Sequence, residues 1–153
     1  MMQSRRIDPL LRRAQEHEDA VARDLAERQR VLETHVARLD ELRRYAEEYA
    51  GGQLVATSAV VLSNRRAFLD RLDTAVQQQL QTVDLNRNKV EAERARLLLA
   101  SREKQVLEQL AASYRAQEAQ VVGRREQRDM DDLGARRARA AARDHDDETG
   151  ERT

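Results

Sequence analysis

The sequence lacks cysteine altogether and has one proline, five glycines and only four aromatic side chains among its 153 residues. Without cysteine, disulfide bonds and thiolate zinc sites are excluded, and a reducing compartment is favoured. So few aromatic residues do not fill a globular core, and the apolar 40% of the chain consists mostly of Ala, Leu and Val. A composition with so few helix breakers is typical of long helices and coiled coils.

Long apolar runs and an excess of one charge are also missing. No segment approaches the roughly 18 apolar residues that span a bilayer, and the N-terminus lacks the apolar run of a signal peptide. Lys plus Arg and Asp plus Glu both number 28, whereas a nucleic-acid-binding protein normally carries a basic excess. We therefore expect a cytoplasmic protein that neither inserts into a membrane nor binds nucleic acid.

A heptad pattern runs from residue 8 to residue 49. Asp8 followed by Pro9 is a typical helix start, because Asp can cap the helix and the missing N–H of proline has no cost there. Nine of the twelve positions that follow at 3,4 spacing are apolar or aromatic, which indicates a coiled-coil seam rather than disorder. They are Leu11, Ala14, Glu18, Val21, Leu25, Arg28, Leu32, His35, Leu39, Leu42, Ala46 and Tyr49.

The first seam ends at Gly51 and Gly52, which fit a helix C-cap, and Thr57, Ser58 or Ser63 can cap a second helix. No proline follows, and a second 3,4-spaced series is present. Leu80, Leu98, Leu99 and Leu110 lie outside this series, so we expect its phase to drift after residue 97. The series is Leu69, Leu72, Val76, Gln79, Val83, Asn86, Val90, Glu93, Leu97, Ala100, Lys104, Leu107, Ala111 and Tyr114.

Two seams separated by a short break predict an all-α fold: an antiparallel coiled-coil hairpin with a longer second helix. We expect a single domain over residues 1–143, with helix 1 at about 8–50, a turn at about 51–62 and helix 2 at about 63–142. Residues 144–153 are expected to be a disordered acidic tail. Pairing outward from the turn places Leu39 near Leu72, Leu25 near Arg87 and Leu11 near Ser101. Residues 105–142 then extend past the first helix.

Catalytic and cofactor-binding motifs are missing from the sequence. His17, His35 and His145 are far apart, there is no phosphate-binding glycine loop, and two thin helices offer no cleft that tunes a carboxylate. The run 144–148 is better explained as a solvated tail than as a metal site. The arginines of residues 124–143 are interrupted by acidic residues, which opposes DNA binding. We expect no enzyme activity, no metal and no cofactor.

Three of the four aromatic residues, Tyr45, Tyr49 and Phe68, lie close to the turn. Tyr45 and Tyr49 share a helix face at i, i+4. Two interpretations remain open: the rings fill the wide end of a coiled coil, or they form a hot spot for a partner protein.

Four stretches of the chain carry a family resemblance. They are RRIDPLLRRAQEHEDAVARDL, LDELRRYAEEYAGG, NRRAFLDRLDTAVQQQ and VLEQLAASYRAQEAQVVGRREQRDMDDLGARR. The most specific features are the Tyr45/Tyr49 spacing, the 64–68 segment and the ending REQRDMDDL. In combination they resemble the FliJ family, the coiled-coil component of the flagellar type III export apparatus, over roughly residues 4–139. Gly123 and Gly134 depart from the family, in which continuous helix is expected.

The resemblance implies a non-enzymatic, antiparallel two-helix coiled coil similar to the γ stalk of rotary ATPases. It implies insertion into the pore of the hexameric export ATPase, stimulation of ring assembly, contact with the membrane export gate, and handling of export chaperones that have released their cargo. The protein is then expected at the cytoplasmic face of the inner membrane, held there peripherally, with a role in motility.

The resemblance also implies two partner-binding surfaces. The gate is expected to contact a patch near the turn, and the ATPase is expected to contact the end of helix 2. The patch comprises Leu42, Tyr45, Tyr49, Phe68, Leu72, Ala75 and Gln79. The ATPase-binding set comprises Tyr114, Arg124, Arg125, Arg128 and Arg136.

Two other classes of protein remain possible from the sequence. One is the equivalent stalk of a virulence-type secretion system, which differs chiefly in its partners. The other is a generic coiled-coil scaffold or holdase chaperone, for example a parallel homodimer. Light scattering separates the last class, because a scaffold is expected to be a tight dimer and a stalk a monomer or weak oligomer.

Overall fold

The computed structural model describes residues 3–52 and 58–150. Helix α1 spans Gln3–Gly51 and helix α2 spans Ala59–Gly150, with 49 and 92 residues, and the described residues contain no strand. The two helices pack against each other as a helical hairpin. The predicted all-α fold, with a longer second helix, is confirmed.

Helix α1 begins before the predicted cap at Asp8, so Pro9 lies inside the helix. Proline lacks the N–H that would bond the carbonyl of Arg5, so one bond of the second turn is missing. The first turn nevertheless packs, because Ser4 and Ile7 are both buried. Asp8 does not cap α1; its carboxylate accepts a hydrogen bond from Arg115 at 3.3 Å.

Helix α2 begins four residues before the expected start at 63. Of the three candidate caps, Ser58 is used: its hydroxyl accepts a hydrogen bond from the backbone N–H of Val61 at 3.3 Å. Thr57 lies outside the described residues, as do residues 53–56 of the expected turn. Helix α2 continues through Gly123 and Gly134, and it includes residues 144–150 of the expected disordered tail. That stretch contains no proline, and the Thr149 hydroxyl bonds the carbonyl of His145 at 3.1 Å.

The described residues form two compact units, which are considered separately. Residues 13–104 form one, here called the aromatic unit. Residues 3–12 together with residues 105–150 form the other, here called the terminal unit.

The core of the aromatic unit follows the two heptad series. Its buried apolar side chains are Val21 and Leu39 on α1 and Leu72, Val83, Val90 and Ala100 on α2. The expected drift of the second series after residue 97 does not occur, because Ala100 is buried whereas Leu98 and Leu99 are 53% and 58% exposed. The small side chain of Ala100 keeps the seam in register, so the two leucines face outward.

The pairing within the aromatic unit differs from the register expected by counting outward from the turn. Ser101, expected near Leu11, hydrogen-bonds Glu18, which lies seven residues further along α1. Arg87, expected near Leu25, pairs with Asp84 on its own helix at 3.6 Å. The first turn of α2 is not part of the seam, because all three side chains of residues 60–62 are exposed.

The core of the terminal unit also follows heptad positions. Ile7 and Ala111 are buried, and Leu11, Leu107, Tyr114 and Glu118 are half-buried. Every residue from 119 to 150 is exposed. The expectation that residues 105–142 extend past the first helix was therefore wrong for residues 105–118, because α1 starts earlier and supplies Ser4 and Ile7 to this part of the seam.

Candidate protein-binding surfaces

Three aromatic rings close one end of the seam in the aromatic unit, where α1 ends and α2 begins. Tyr45 and Tyr49 lie one turn apart on α1, with ring centroids 6.5 Å apart. Phe68 of α2 lies 4.5 Å from the Tyr49 centroid and meets Tyr45 edge-on at 6.3 Å and 82°. Edge-to-face and tilted contacts at these distances are the favourable aromatic geometries. We call these three residues the aromatic cluster.

Arg65 holds the end of α1 against α2. Its Nη2 atom donates to the carbonyl oxygens of Tyr49, Ala50 and Gly52 at 3.0, 3.0 and 3.1 Å. Its guanidinium carbon also lies 5.8 Å from the Tyr49 ring centroid. A cation at a helix C-terminus satisfies carbonyls that have no partner in the helix and complements the negative end of the helix dipole. Gly51 and Gly52 do not adopt the left-handed conformation of a glycine cap, since no described glycine has a positive φ.

The aromatic cluster both packs and presents surface. Tyr45 is 51% exposed, whereas Tyr49 and Phe68 are half-buried. Among the other residues expected in the gate-binding patch, Leu42 and Ala75 are half-buried and Leu72 is buried. The structure thus brings the three rings together, with Tyr45 the most accessible, and places Leu72 in the core.

Gln79, also expected in the patch, is bound across the seam to His35. Its amide nitrogen donates to the His35 backbone carbonyl at 2.9 Å and lies 3.3 Å from Nδ1 of the same residue. This polar layer explains why the two heptad series each carry a polar residue here.

A second polar layer in the aromatic unit joins Glu18 to Lys104, whose charged atoms are 3.2 Å apart. Both side chains are only 21% exposed. Hydrogen bonds from Lys104 and then Ser101 hold the pKa of Glu18 below its ordinary value. Both members occupy heptad positions, so they match one pairing of the helices and disfavour others.

The terminal unit is closed by polar contacts. Glu118 accepts a hydrogen bond from the Ser4 hydroxyl at 2.7 Å and another from the Ser4 backbone N–H at 3.2 Å. These two bonds lower the pKa of the Glu118 carboxyl. One turn away, Arg115 bonds Asp8. We call these four residues the terminal clasp.

Beyond the terminal clasp, the heptad positions of α2 change character. Counting on from Glu118 in the same register gives exposed side chains at Val121, Arg125, Arg128, Asp132, Ala135, Arg139 and Ala142. Arg125 and Arg128, both expected to bind the ATPase, therefore lie on the face that continues the seam. Arg124 and Arg136 are exposed just beside that face, and Tyr114 is half-buried in the seam.

A shallow groove of about 230 Å³ lies in the terminal unit where the heptad positions change. Tyr114, Val121, Val122 and Arg125 contribute to its wall, together with Gln3 of α1. The groove combines apolar side chains with one cation, as expected at the margin between a packed and an exposed part of a helix.

Chemistry typical of an active site is not found in the described ranges. No group of three or more His, Cys, Asp or Glu residues there is placed to hold a metal ion. No helix in residues 3–52 and 58–150 is long and apolar enough to cross a membrane. The fold and its surfaces define a two-helix coiled coil with polar layers, an aromatic cluster and a charged helical extension, which is a protein-binding architecture.

The family model described as "Flagellar FliJ protein" matches residues 2–143. The chain therefore belongs to the FliJ family and is a non-enzymatic component of the flagellar export apparatus. The predicted resemblance and the predicted absence of enzyme activity are both confirmed by this match. Comparison with curated proteins and with solved structures yields no significant match.

Sequence reasoning missed Arg65 and the terminal clasp. An arginine shortly after Gly51 and Gly52 is a weak signal for a helix cap, but the contact requires the second helix to fold back in one register. The pairing of Glu18 with Lys104 had a clearer signal, since both are charged residues of opposite sign in heptad positions. The two charges meet only when α1 and α2 are paired in the observed register.

Proposed function

We propose that this chain is the central stalk of the flagellar export ATPase ring and couples that ring to the membrane export gate. The exposed end of α2 enters the ring, and the aromatic cluster contacts the gate. Membership of the FliJ family supports an export role. The observation that carries the finer proposal is that residues 119–150 of α2 remain helical yet wholly exposed.

A helix that continues for 32 residues with every side chain exposed has no packing partner of its own within the described chain. An isolated helix is marginal in water, so binding is expected to stabilise it. Its seam-continuing face carries Arg125, Arg128 and Arg139 with one acidic residue, Asp132. A partner with acidic side chains around a narrow pore complements this face.

The aromatic cluster supports the second contact. A partly exposed tyrosine backed by two packed rings is a rigid apolar surface, which is the usual composition of a binding hot spot. Export chaperones are proposed to be further partners, and the protein is proposed to lie at the cytoplasmic face of the inner membrane through these contacts.

Deletion of residues 120–153 tests the ATPase contact. The truncation keeps the terminal clasp, since Ser4, Asp8, Arg115 and Glu118 all remain, and so the paired helices are expected to fold. We expect stimulation of the purified export ATPase to be lost while binding to the gate is retained. Unchanged stimulation by the truncated protein contradicts the placement of the ATPase site.

A matched pair of charge reversals tests whether the ATPase binds the seam-continuing face of α2. Arg128→Glu lies on the seam-continuing face, whereas Arg137→Glu reverses an equally exposed charge on the opposite side of the helix. Arg128→Glu is expected to weaken ATPase binding strongly at low salt and less at high salt, because salt screens exposed charges. Arg137→Glu is expected to bind like wild type. Equal losses in both variants indicate a non-specific charge effect.

The gate contact is tested with Tyr45→Ala combined with Phe68→Ala. Swimming motility and gate binding are expected to be abolished while circular dichroism shows nearly unchanged helicity. If helicity is lost together with motility, the aromatic cluster is only packing.

A further inference from the structure

The outer face of α2 in the aromatic unit carries a second apolar stripe. Leu85, Leu98 and Leu99 are 55%, 53% and 58% exposed. Scattered exposed leucines are ordinary on a protein surface, but large ones grouped on one helix face mark interaction sites. Leu85 and Leu99 share a face directly opposite the buried positions Val83 and Val90, and Leu98 lies to one side of that face.

The stripe has heptad spacing of its own. Exposed residues follow one another at intervals of three and four along this face. Small or apolar side chains occupy four of its six positions, so the face resembles a short coiled-coil seam. The positions are Leu85, Asn88, Ala92, Ala95, Leu99 and Arg102.

Charges flank the stripe with opposite signs on its two sides. Asp84 and Glu91 lie along one side, and Lys89 and Arg96 lie along the other. In a parallel coiled coil, a flanking residue of one helix meets the residue five positions later on the partner helix. Asp84 then meets the partner's Lys89, and Glu91 meets the partner's Arg96.

An antiparallel arrangement of two copies gives the opposite result. Each flank then faces the same flank of the partner, so acidic side chains meet acidic ones and basic side chains meet basic ones. The pattern is therefore self-complementary only for two parallel copies in register. The ion pairs Asp84–Arg87 and Glu91–Arg94 do not prevent it, because all four side chains are more than half exposed. Arg96 also bonds the buried Glu93 at 2.9 and 3.0 Å, so its contact with the other copy is made in addition to that ion pair.

We infer that two copies of this chain associate in parallel and in register through the stripe at residues 85–99, and that the pairing ends at Arg102, because the two copies of this arginine would face and repel each other. The second copy is the occupant because the charge pattern complements itself. Asn88 meets its counterpart and fixes the register, as a single polar residue does in other coiled-coil seams. The association is weak and reversible, since only two leucines occupy the seam positions. It uses the face opposite the buried seam, and it is independent of the proposed stalk function.

Disulfide trapping in the full-length chain tests the inference directly, because the sequence contains no cysteine. Ala92→Cys places a thiol in the centre of the stripe, and Ala37→Cys places one on an exposed position of α1. Under mild oxidation, Ala92→Cys is expected to yield several-fold more disulfide-linked dimer than Ala37→Cys. Equal yields at matched concentration overturn the inference.

Charge reversal in the Ala92→Cys background tests the orientation. Lys89→Glu with Arg96→Glu makes both flanks acidic and is expected to reduce the dimer yield to that of Ala37→Cys. Adding Asp84→Lys and Glu91→Lys is expected to restore the yield. The fourfold variant should not form mixed dimers with the unreversed chain, as judged by mass spectrometry. Abundant mixed dimers indicate an antiparallel pair and overturn the parallel arrangement.

Discussion

In the aromatic unit, three rings, an arginine and a glutamine–histidine layer join α1 to α2, whereas in the terminal unit the cross-helix hydrogen bonds run through carboxylates. Arg65 and Gln79 bind backbone carbonyls, which keep their charge state at every pH. Glu118 accepts two hydrogen bonds from Ser4 as a carboxylate, and these bonds hold its pKa below the ordinary value, so protonation weakens them. The carbonyl contacts of Arg65 and Gln79 thus keep their charge state as the pH changes, whereas the Glu118 contact of the terminal unit, like the Glu18–Lys104 contact of the aromatic unit, is acid-sensitive.

The two units depend on their polar contacts to different extents because their buried side chains differ in size and number. The aromatic unit has bulky rings in addition to a buried apolar series, and so its polar contacts supplement a core. The terminal unit has Ile7 and Ala111 as its fully buried apolar residues, and small cores depend more on each hydrogen bond. We therefore expect the terminal unit to open more readily.

The largest expected effect comes from breaking α2 inside the aromatic unit. Val83 has no exposed surface, and Val83→Pro removes a helix hydrogen bond there as well as the buried side chain. We expect a loss of about 3 kcal/mol or more in the free energy of unfolding, with a large fall in helicity by circular dichroism. Ala138→Pro breaks the same helix where it is wholly exposed and is the control. It should leave the midpoint of thermal unfolding nearly unchanged; equal falls in both variants contradict the assigned core.

A smaller effect is expected at the helix cap. Arg65→Ala removes the cation bound to the last carbonyls of α1 and should lower the free energy of unfolding by about 1–2 kcal/mol. Amide hydrogen exchange in residues 46–52 should accelerate, because the end of α1 loses its anchor. Arg66→Ala removes a neighbouring, exposed arginine and should exchange like wild type. Protection that is identical in both variants shows that Arg65 does not anchor α1.

The smallest expected effect is the pH dependence of the Glu118–Ser4 contact in the terminal unit. The folded-state pKa of Glu118 is lowered, so its stabilising contribution is present above the ordinary value of 4.5 and is lost as the pH falls through the folded value. NMR shifts of the Ser4 amide should therefore move between about pH 4.5 and lower values, while the Arg65 contacts persist. Glu118→Gln should remove this pH dependence. A Ser4 amide that titrates identically in Glu118→Gln rules out the carboxylate as its cause.

The spacing of the apolar residues in the sequence is enough to predict both helices. The two heptad series give both helices, and the second series continues to Tyr114 in the register read from Leu69. The alignment of one helix with the other does not follow, because heptads repeat and a shift of seven residues preserves every apolar contact. Individual contacts such as Glu18 with Lys104 decide between such alignments, and they become evident only after the helices are paired.

The candidate binding surfaces also include one part that the sequence predicts and one part that depends on how the helices pair. The i, i+4 spacing of Tyr45 and Tyr49 is local, so their joint face is predictable from the sequence. Tyr114 was grouped with the arginines of residues 124–136 because the end of the paired region was placed too early. That end depends on where α1 begins, and the Asp8–Pro9 pair is a strong start signal that packing of Ser4 and Ile7 overrides.

The change from apolar to charged residues at the heptad positions after Glu118 has a kinetic consequence. A continued apolar seam would hold any matching amphipathic helix with a slow off-rate. Exposed arginines instead attract an acidic partner over a distance, which speeds encounter, and they contribute little burial to slow its release. A partner that recognises this part of α2 can therefore exchange quickly, and its association rate should fall as ionic strength rises.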